Sequence, residues 1–133
     1  MRALIVEDDS ISGKMLLKIL STYGRCDLAD NGRQAIDAFR QSLDRADPYD
    51  LICMDISMPE LDGQNALCQI RDIEKQAGIG ADLEVKVVMI TASSETSQVS
   101  DALFTGGASA YFIKPLEVEA FLKELKRLNL ISD

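Results

Sequence analysis

The sequence predicts an α/β domain, a doubly wound five-stranded parallel sheet in the order 2-1-3-4-5 with helices on both faces. Three observations predict it. Five short apolar runs alternate with amphipathic stretches along the whole chain, as repeated strand-helix units do. Turn residues and helix stops separate them, among them Asn31-Gly32, Asp47-Pro48, Asp62-Gly63, Gly78, Gly80 and Gly106-Gly107. The third observation is the position of the least apolar run, which is second. With right-handed crossovers, the order 2-1-3-4-5 puts that strand at an edge and the most apolar strands inside.

Residues 3–6 form a continuous apolar run, expected of a strand covered on both faces. Ile11, Met15, Leu16, Ile19 and Leu20 follow at helical spacing, and Asp9 or Ser10 can cap that helix. Residues 26–29 are the weak strand, with Asp27 inside it. A second helix opens at Asn31-Gly32 and aligns Ala35, Ile36, Phe39 and Leu43. Residues 51–54 make the third strand, which ends at Asp55. Pro59 excludes its continuation, and a third helix aligns Ala66, Leu67, Ile70 and Ile73. Residues 85–90 are the most strand-like run and stop at Thr91. A polar helix over roughly 95–105 turns Val99, Ala102 and Leu103 inward. Residues 110–113 are the fifth strand, closed by Lys114-Pro115. The last helix aligns Val118, Phe121, Leu122, Leu125 and Leu128. Its acids Glu117 and Glu119 lie at the start and Lys123, Lys126 and Arg127 towards the end, which suits the helix dipole.

Composition narrows the function. At 133 residues, 47% hydrophobic and 27% charged, the chain fits one domain with a real core, residues 1–133, and no output domain is expected. A net charge of −8 argues against direct nucleic-acid binding. No apolar run approaches the roughly 20 residues of a membrane helix, and MRALIVEDD is a poor signal peptide, so a cytoplasmic protein is expected. The three cysteines, Cys26, Cys53 and Cys68, form no CxxC pair and suggest reduced, mostly buried thiols. The absence of histidine removes Ser-His and Cys-His catalysis, His-metal sites and any phosphohistidine on this chain.

In a doubly wound sheet, ligands bind at the C-terminal strand ends near the switch point, here between strands 1 and 3. Strand 1 ends in Glu7-Asp8, strand 3 in Asp55, strand 4 in Thr91 and strand 5 in Lys114. Two negative charges about 5 Å apart repel by roughly 3 kcal/mol at an effective dielectric of 20. Three carboxylates on one rim therefore either lie in water or share a cation, and an all-oxygen set suits Mg²⁺. Lys114 before Pro115 is either a surface lysine at a turn or a cation aimed at a phosphoryl oxygen or at Asp55. Thr91 is either an ordinary strand residue or a hydroxyl donor to the same group.

The blocks IVEDD, MDISMPELDG, ITAS and GASAYFIKP, in that order and each at a predicted strand end, resemble the receiver domain of two-component response regulators. The resemblance covers essentially the whole chain. It implies that Asp55 accepts a phosphoryl group from a sensor histidine kinase or a histidine phosphotransfer protein. Glu7, Asp8, Asp55 and the backbone carbonyl of Ser57 would hold Mg²⁺, and Lys114 would contact the phosphoryl group. Pro115 would form a Lys-Pro bond that is often cis. Thr91 and Tyr111 would act as the switch, reshaping the surface of the fourth helix, fifth strand and last helix. There, members of the family meet targets or form phosphorylation-dependent homodimers. Such a chain catalyses only its own phosphoryl transfer and dephosphorylation and is not otherwise an enzyme.

Departures from the family pattern are visible. Glu7 stands where most such receivers have Asp, and the segments SLDRADPYD and EKQAGIGADLEVK are longer than in compact members. Those segments follow helices 2 and 3, whose C-terminal ends are opposite the predicted site. Three rival readings are weaker. A magnesium-dependent phosphatase usually carries a DxD pair, but Ile56 and Ser57 follow Asp55. A flavodoxin-like cofactor binder needs a phosphate loop after strand 1, where this chain has acids. A receiver-like module that had lost phosphorylation would not be expected to keep Glu7, Asp8, Asp55, Thr91 and Lys114 together.

Overall fold

A computed structural model describes residues 1–55, 63–91 and 107–132. The strands are β1 (Arg2–Val6), β2 (Arg25–Ala29), β3 (Leu51–Asp55), β4 (Lys86–Thr91) and β5 (Ala110–Ile113). The helices are α1 (Ser10–Leu20), α2 (Gly32–Asp44), α3 (Gly63–Gln76) and a C-terminal helix (Val118–Arg127), with a short 3-10 turn at Ala81–Leu83. The sheet is parallel throughout and ordered β2-β1-β3-β4-β5, as the apolar pattern predicts. The helix predicted over 95–105 lies outside the described residues.

Alternation along the strands divides the core into two layers. Leu4, Val6, Ile52, Met54, Val87 and Met89 pack on the α2–α3 side with Phe39, Leu67 and Ile70. Ala3, Ile5, Leu51, Cys53, Val88 and Ile90 pack on the other side with Leu16, Leu20, Phe121 and Leu125. Each large side chain removed from water this way contributes roughly 1.5–3 kcal/mol. Strand β2 is mostly exposed, consistent with its edge position.

Three expectations need correction. Ile11 is 78% exposed and Met15 41% exposed, so they lie off the core face of α1, which is formed by Gly13, Leu16 and Leu20. At 3.6 residues per turn, Ile11 is more than a third of a turn out of line with Leu16. Val118, in the open first turn of the C-terminal helix, is 39% exposed, whereas Phe121 and Leu125 are buried. The thiols are all free, but Cys68 is exposed and Cys26 half-buried, leaving Cys53 as the one buried cysteine.

Gly24 is required by close approach. A β-carbon there would lie 1.9 Å from the carbonyl oxygen of Met1, which accepts a hydrogen bond from the Arg25 amide. Among the described residues, no helix is long and apolar enough to cross a membrane.

Candidate functional site

The sheet register assembles the site. Val6 pairs with Met54, Asp55 with Ile90, and Thr91 with Ile113. The residues one step beyond these pairs therefore share one rim, bringing Glu7 and Asp8 beside Asp55 and Thr91 beside Lys114. The Lys114 amide donates to the Thr91 carbonyl at 2.8 Å, which continues the β4–β5 ladder to the lysine itself. The Lys114-Pro115 bond is cis.

Glu7 and Asp55 are buried, each 6% exposed, while Asp8 is open to water. One carboxylate oxygen from each of the three lies within 4.8 Å of the others. Lys114 Nζ donates to Glu7 Oε2 at 2.9 Å and to Asp55 Oδ2 at 3.3 Å. Glu7 Oε1 also accepts from the Asp9 amide at 3.2 Å. Asp9, the third acid of the run, has a different job. It caps α1, its side chain accepting from the Ile11 amide at 3.2 Å and from the Ser12 hydroxyl at 2.7 Å.

The electrostatics follow from three carboxylates facing one ammonium. Burial pushes Glu7 up to about 7; the Lys114 and Asp9 hydrogen bonds pull against this, and Asp55 adds to the rise. Burial alone would lower Lys114, but its Glu7 hydrogen bond and the charge of Asp55 outweigh that and hold it above its ordinary value. Asp9 is lowered, first by its Ser12 hydrogen bond and then by the Ile11 amide. Among the described residues, acid outnumbers base at this rim.

The donor set fits a hard divalent cation. All three side chains offer oxygen, two are held by strand ends, and the exposed Asp8 leaves the cluster open to solvent and its waters. A cleft of about 440 Å³ adjoins the cluster, lined by Met15, Leu16, Ile90, Pro115 and Leu116, with Glu7 and Lys114 on its wall.

The remaining sequence-predicted residues divide into three groups. Thr91 is buried at the end of β4, at the rim. Tyr111 is 39% exposed on β5. Ser57 lies outside the described residues, as does Ser93. Sequence reasoning missed a second buried charge cluster around Arg71 and Glu74. The signal was present: Glu74 falls four residues after Ile70 and seven after Leu67, on the buried stripe of α3.

A family model, the response regulator receiver domain, matches residues 3–126. Chemotaxis protein CheY of Bacillus subtilis is 34% identical over 131 residues, covering 96% of this chain and 98% of that protein. Hybrid signal transduction histidine kinase I of Dictyostelium discoideum is 30% identical over 116 residues, 86% of this chain but 6% of that much longer protein. Among solved structures, the complex of the Saccharomyces cerevisiae histidine phosphotransfer protein Ypd1 with the receiver domain of Ssk1 matches with a TM-score of 0.83 at 32% identity. That match covers 100% of this chain and 93% of the matched chain. The Borrelia burgdorferi CheX-CheY-BeF3-Mg complex matches with a TM-score of 0.82 at 26% identity, over 97% of this chain and 89% of the other.

Fold, rim chemistry and likeness agree on a class: a receiver domain of two-component signalling. The chain belongs to the response regulator receiver domain family.

Proposed function

We propose that the chain is a phosphorylation-activated switch that accepts a phosphoryl group on Asp55. The observation that carries this reading is the ammonium of Lys114 held 3.3 Å from Asp55 Oδ2, beside a cluster of three carboxylates that can hold a metal ion. An Asp55 oxygen attacks the phosphorus of a phosphohistidine. The O–P bond forms, the P–N bond breaks, and the departing imidazole takes a proton. Attack of an anion on an anion is slow unless charge is neutralised and the partners are aligned. Strand β3 aims Asp55, Lys114 stabilises charge growing on the phosphoryl oxygens, and the Thr91 hydroxyl would meet the product.

Glu7, Asp8 and Asp55 would hold Mg²⁺, with the Ser57 carbonyl as a further ligand by family resemblance. Bound there, the ion supplies electrophilic stabilisation of the transferring group. The phosphoryl donor is a sensor histidine kinase or a histidine phosphotransfer protein. The similarity to the receiver in the Ypd1–Ssk1 complex and to a hybrid histidine kinase supports this. Thr91 and Tyr111 convert the phosphoryl group into a surface change read by a downstream protein. The chain acts on no substrate but its own carboxylate, and a cytoplasmic location suits that role.

Incubation with phosphoramidate, with and without Mg²⁺, followed by intact mass spectrometry, tests the reading. The expected outcome is a Mg²⁺-dependent gain of one phosphoryl group that Asp55→Asn abolishes. No adduct under any condition sinks it, and turnover of unrelated phosphate esters would make the chain a hydrolase.

A further inference from the structure

We propose that Glu7 is a positioning residue that shares Lys114 with Asp55 until a divalent cation takes the lysine's place as the glutamate's partner. The inference rests on the receiver reading above and adds an order of events to it.

The geometry carries it. Lys114 Nζ is closer to Glu7 Oε2, at 2.9 Å, than to Asp55 Oδ2, at 3.3 Å. The Glu7 side chain is 1% exposed, so this contact is shielded on the acid's side and is little screened by salt. Its stem runs along α1 at Gly13, where a β-carbon would meet Glu7 Cβ at 3.8 Å and Cγ at 3.9 Å. The helix thus confines the stem, and the second methylene of glutamate spans the remaining distance to the lysine. An aspartate at this position would be shorter by one carbon.

The Glu7 carboxylate belongs to both arrangements. It is one of three that can converge on a cation, and it is the nearer partner of the ammonium. Two positive groups therefore compete for one carboxylate. Such competition is a coupling free energy and is reciprocal: whatever the lysine costs the cation, the cation costs the lysine. Cation arrival loosens Lys114 from Glu7 and frees it for Asp55 and its phosphoryl group. Without the cation, the lysine bridges the two acids and lies nearer to Glu7. Metal loading and lysine delivery are then one event.

A double-mutant cycle read by Mg²⁺ affinity tests this, since pairwise coupling is what such cycles isolate. Mg²⁺ dissociation constants are measured by calorimetry for the wild type, K114M, E7Q and the double variant. K114M is expected to tighten Mg²⁺ binding about fivefold or more with Glu7 present, and less than about twofold in the E7Q background. Equal gains in both backgrounds overturn the proposal, because the lysine would then act through Asp55 or through charge alone. E7D keeps the charge and shortens the reach, so it is expected to bind Mg²⁺ and yet show the small gain of the E7Q background. Full coupling in E7D also overturns the proposal.

A third readout needs no change at Glu7. With ¹³C-labelled lysine, the Lys114 ε-methylene signal, assigned by its loss in K114M, is expected to move as Mg²⁺ saturates the wild type. No movement at saturation counts against the proposal. Failure of the wild type to bind Mg²⁺ at all would sink the receiver reading itself. Mg²⁺ binding and an Asp55 adduct with an uncoupled cycle would sink only this proposal.

Discussion

Two buried charge clusters stand out among the described residues, and they are built on different principles. Around Arg71 the one buried acid is matched to the one guanidinium. Glu74, 2% exposed, accepts from Arg71 Nη1 through Oε1 and from the Val85 amide through Oε2, both at 2.7 Å. The guanidinium also donates to the carbonyls of Val85 at 3.0 Å and Gly107 at 2.8 Å. Its Nε lies 3.2 Å from Glu84, without the alignment of a hydrogen bond. At the rim, by contrast, three carboxylates face one ammonium among the described residues. The first cluster spends its polar groups on joining α3 to the segments that enter β4 and β5. Among the described residues, the second sets three carboxylates against one ammonium, an arrangement that suits a cation. Burial alone does not mark a functional site; burial with an unbalanced charge count does.

The contrast can be broken by neutralising one acid in each place. The largest effect is expected from Glu74→Ala, which takes the buried acid from the Arg71 guanidinium and the acceptor from the Val85 amide. Loss of one partner from such a pair costs about 3 to 5 kcal/mol, to be read as a lower midpoint in urea unfolding. At the rim the sign reverses. Asp8→Asn removes repulsion from two buried acids, so the metal-free protein is expected to melt about 2 to 4 °C higher. The same change should erase most of the stabilisation that added Mg²⁺ gives the wild type. If Asp8→Asn destabilises the metal-free chain, the unbalanced description of the rim is wrong.

The smallest effect belongs to a third group of charges. Tyr49 donates to Asp27 Oδ2 at 2.6 Å, and Arg2 lies over its ring at 4.3 Å. Burial first, then the Asp27 hydrogen bond, raises the phenol from 10.0 to about 12. The folded state thus holds its proton more tightly than the unfolded chain. The contribution is complete below pH 10 and is lost as pH climbs through about 12. Tyr49→Phe is expected to flatten the fall of the unfolding midpoint in that window. An unchanged slope would show that the phenol contributes nothing to it.

The sheet order was legible because its signals are local: runs of apolar residues, their lengths and their stops. The rim was legible for a related reason, since parallel strands deliver their C-terminal residues to one edge. Which face of α1 is buried was harder to read. Ile11 and Met15 are apolar and near in sequence to Leu16, yet the stripe that meets the sheet runs through Gly13, Leu16 and Leu20. Glycine carries no hydropathy signal, so the stripe looked shifted. Glu74 was missed for the opposite reason: its charge argued for the surface, and only its partners, Arg71 and the Val85 amide, make burial affordable. The Glu7–Lys114 contact spans 107 residues and depends on one methylene, which no pattern in the sequence encodes.

The anchoring of Arg71 to Val85 and Gly107 has a use in protein engineering. The stretch between α3 and this anchor contains Gly78 and Gly80, where an added β-carbon would meet nothing within 4 Å. Lengthening such a loop costs little closure entropy, about 0.6 kcal/mol per doubling. A fluorescent reporter spliced there would ride on an end already tied down, at the face away from the carboxylates. An insertion there is expected to leave the carboxylate rim in place.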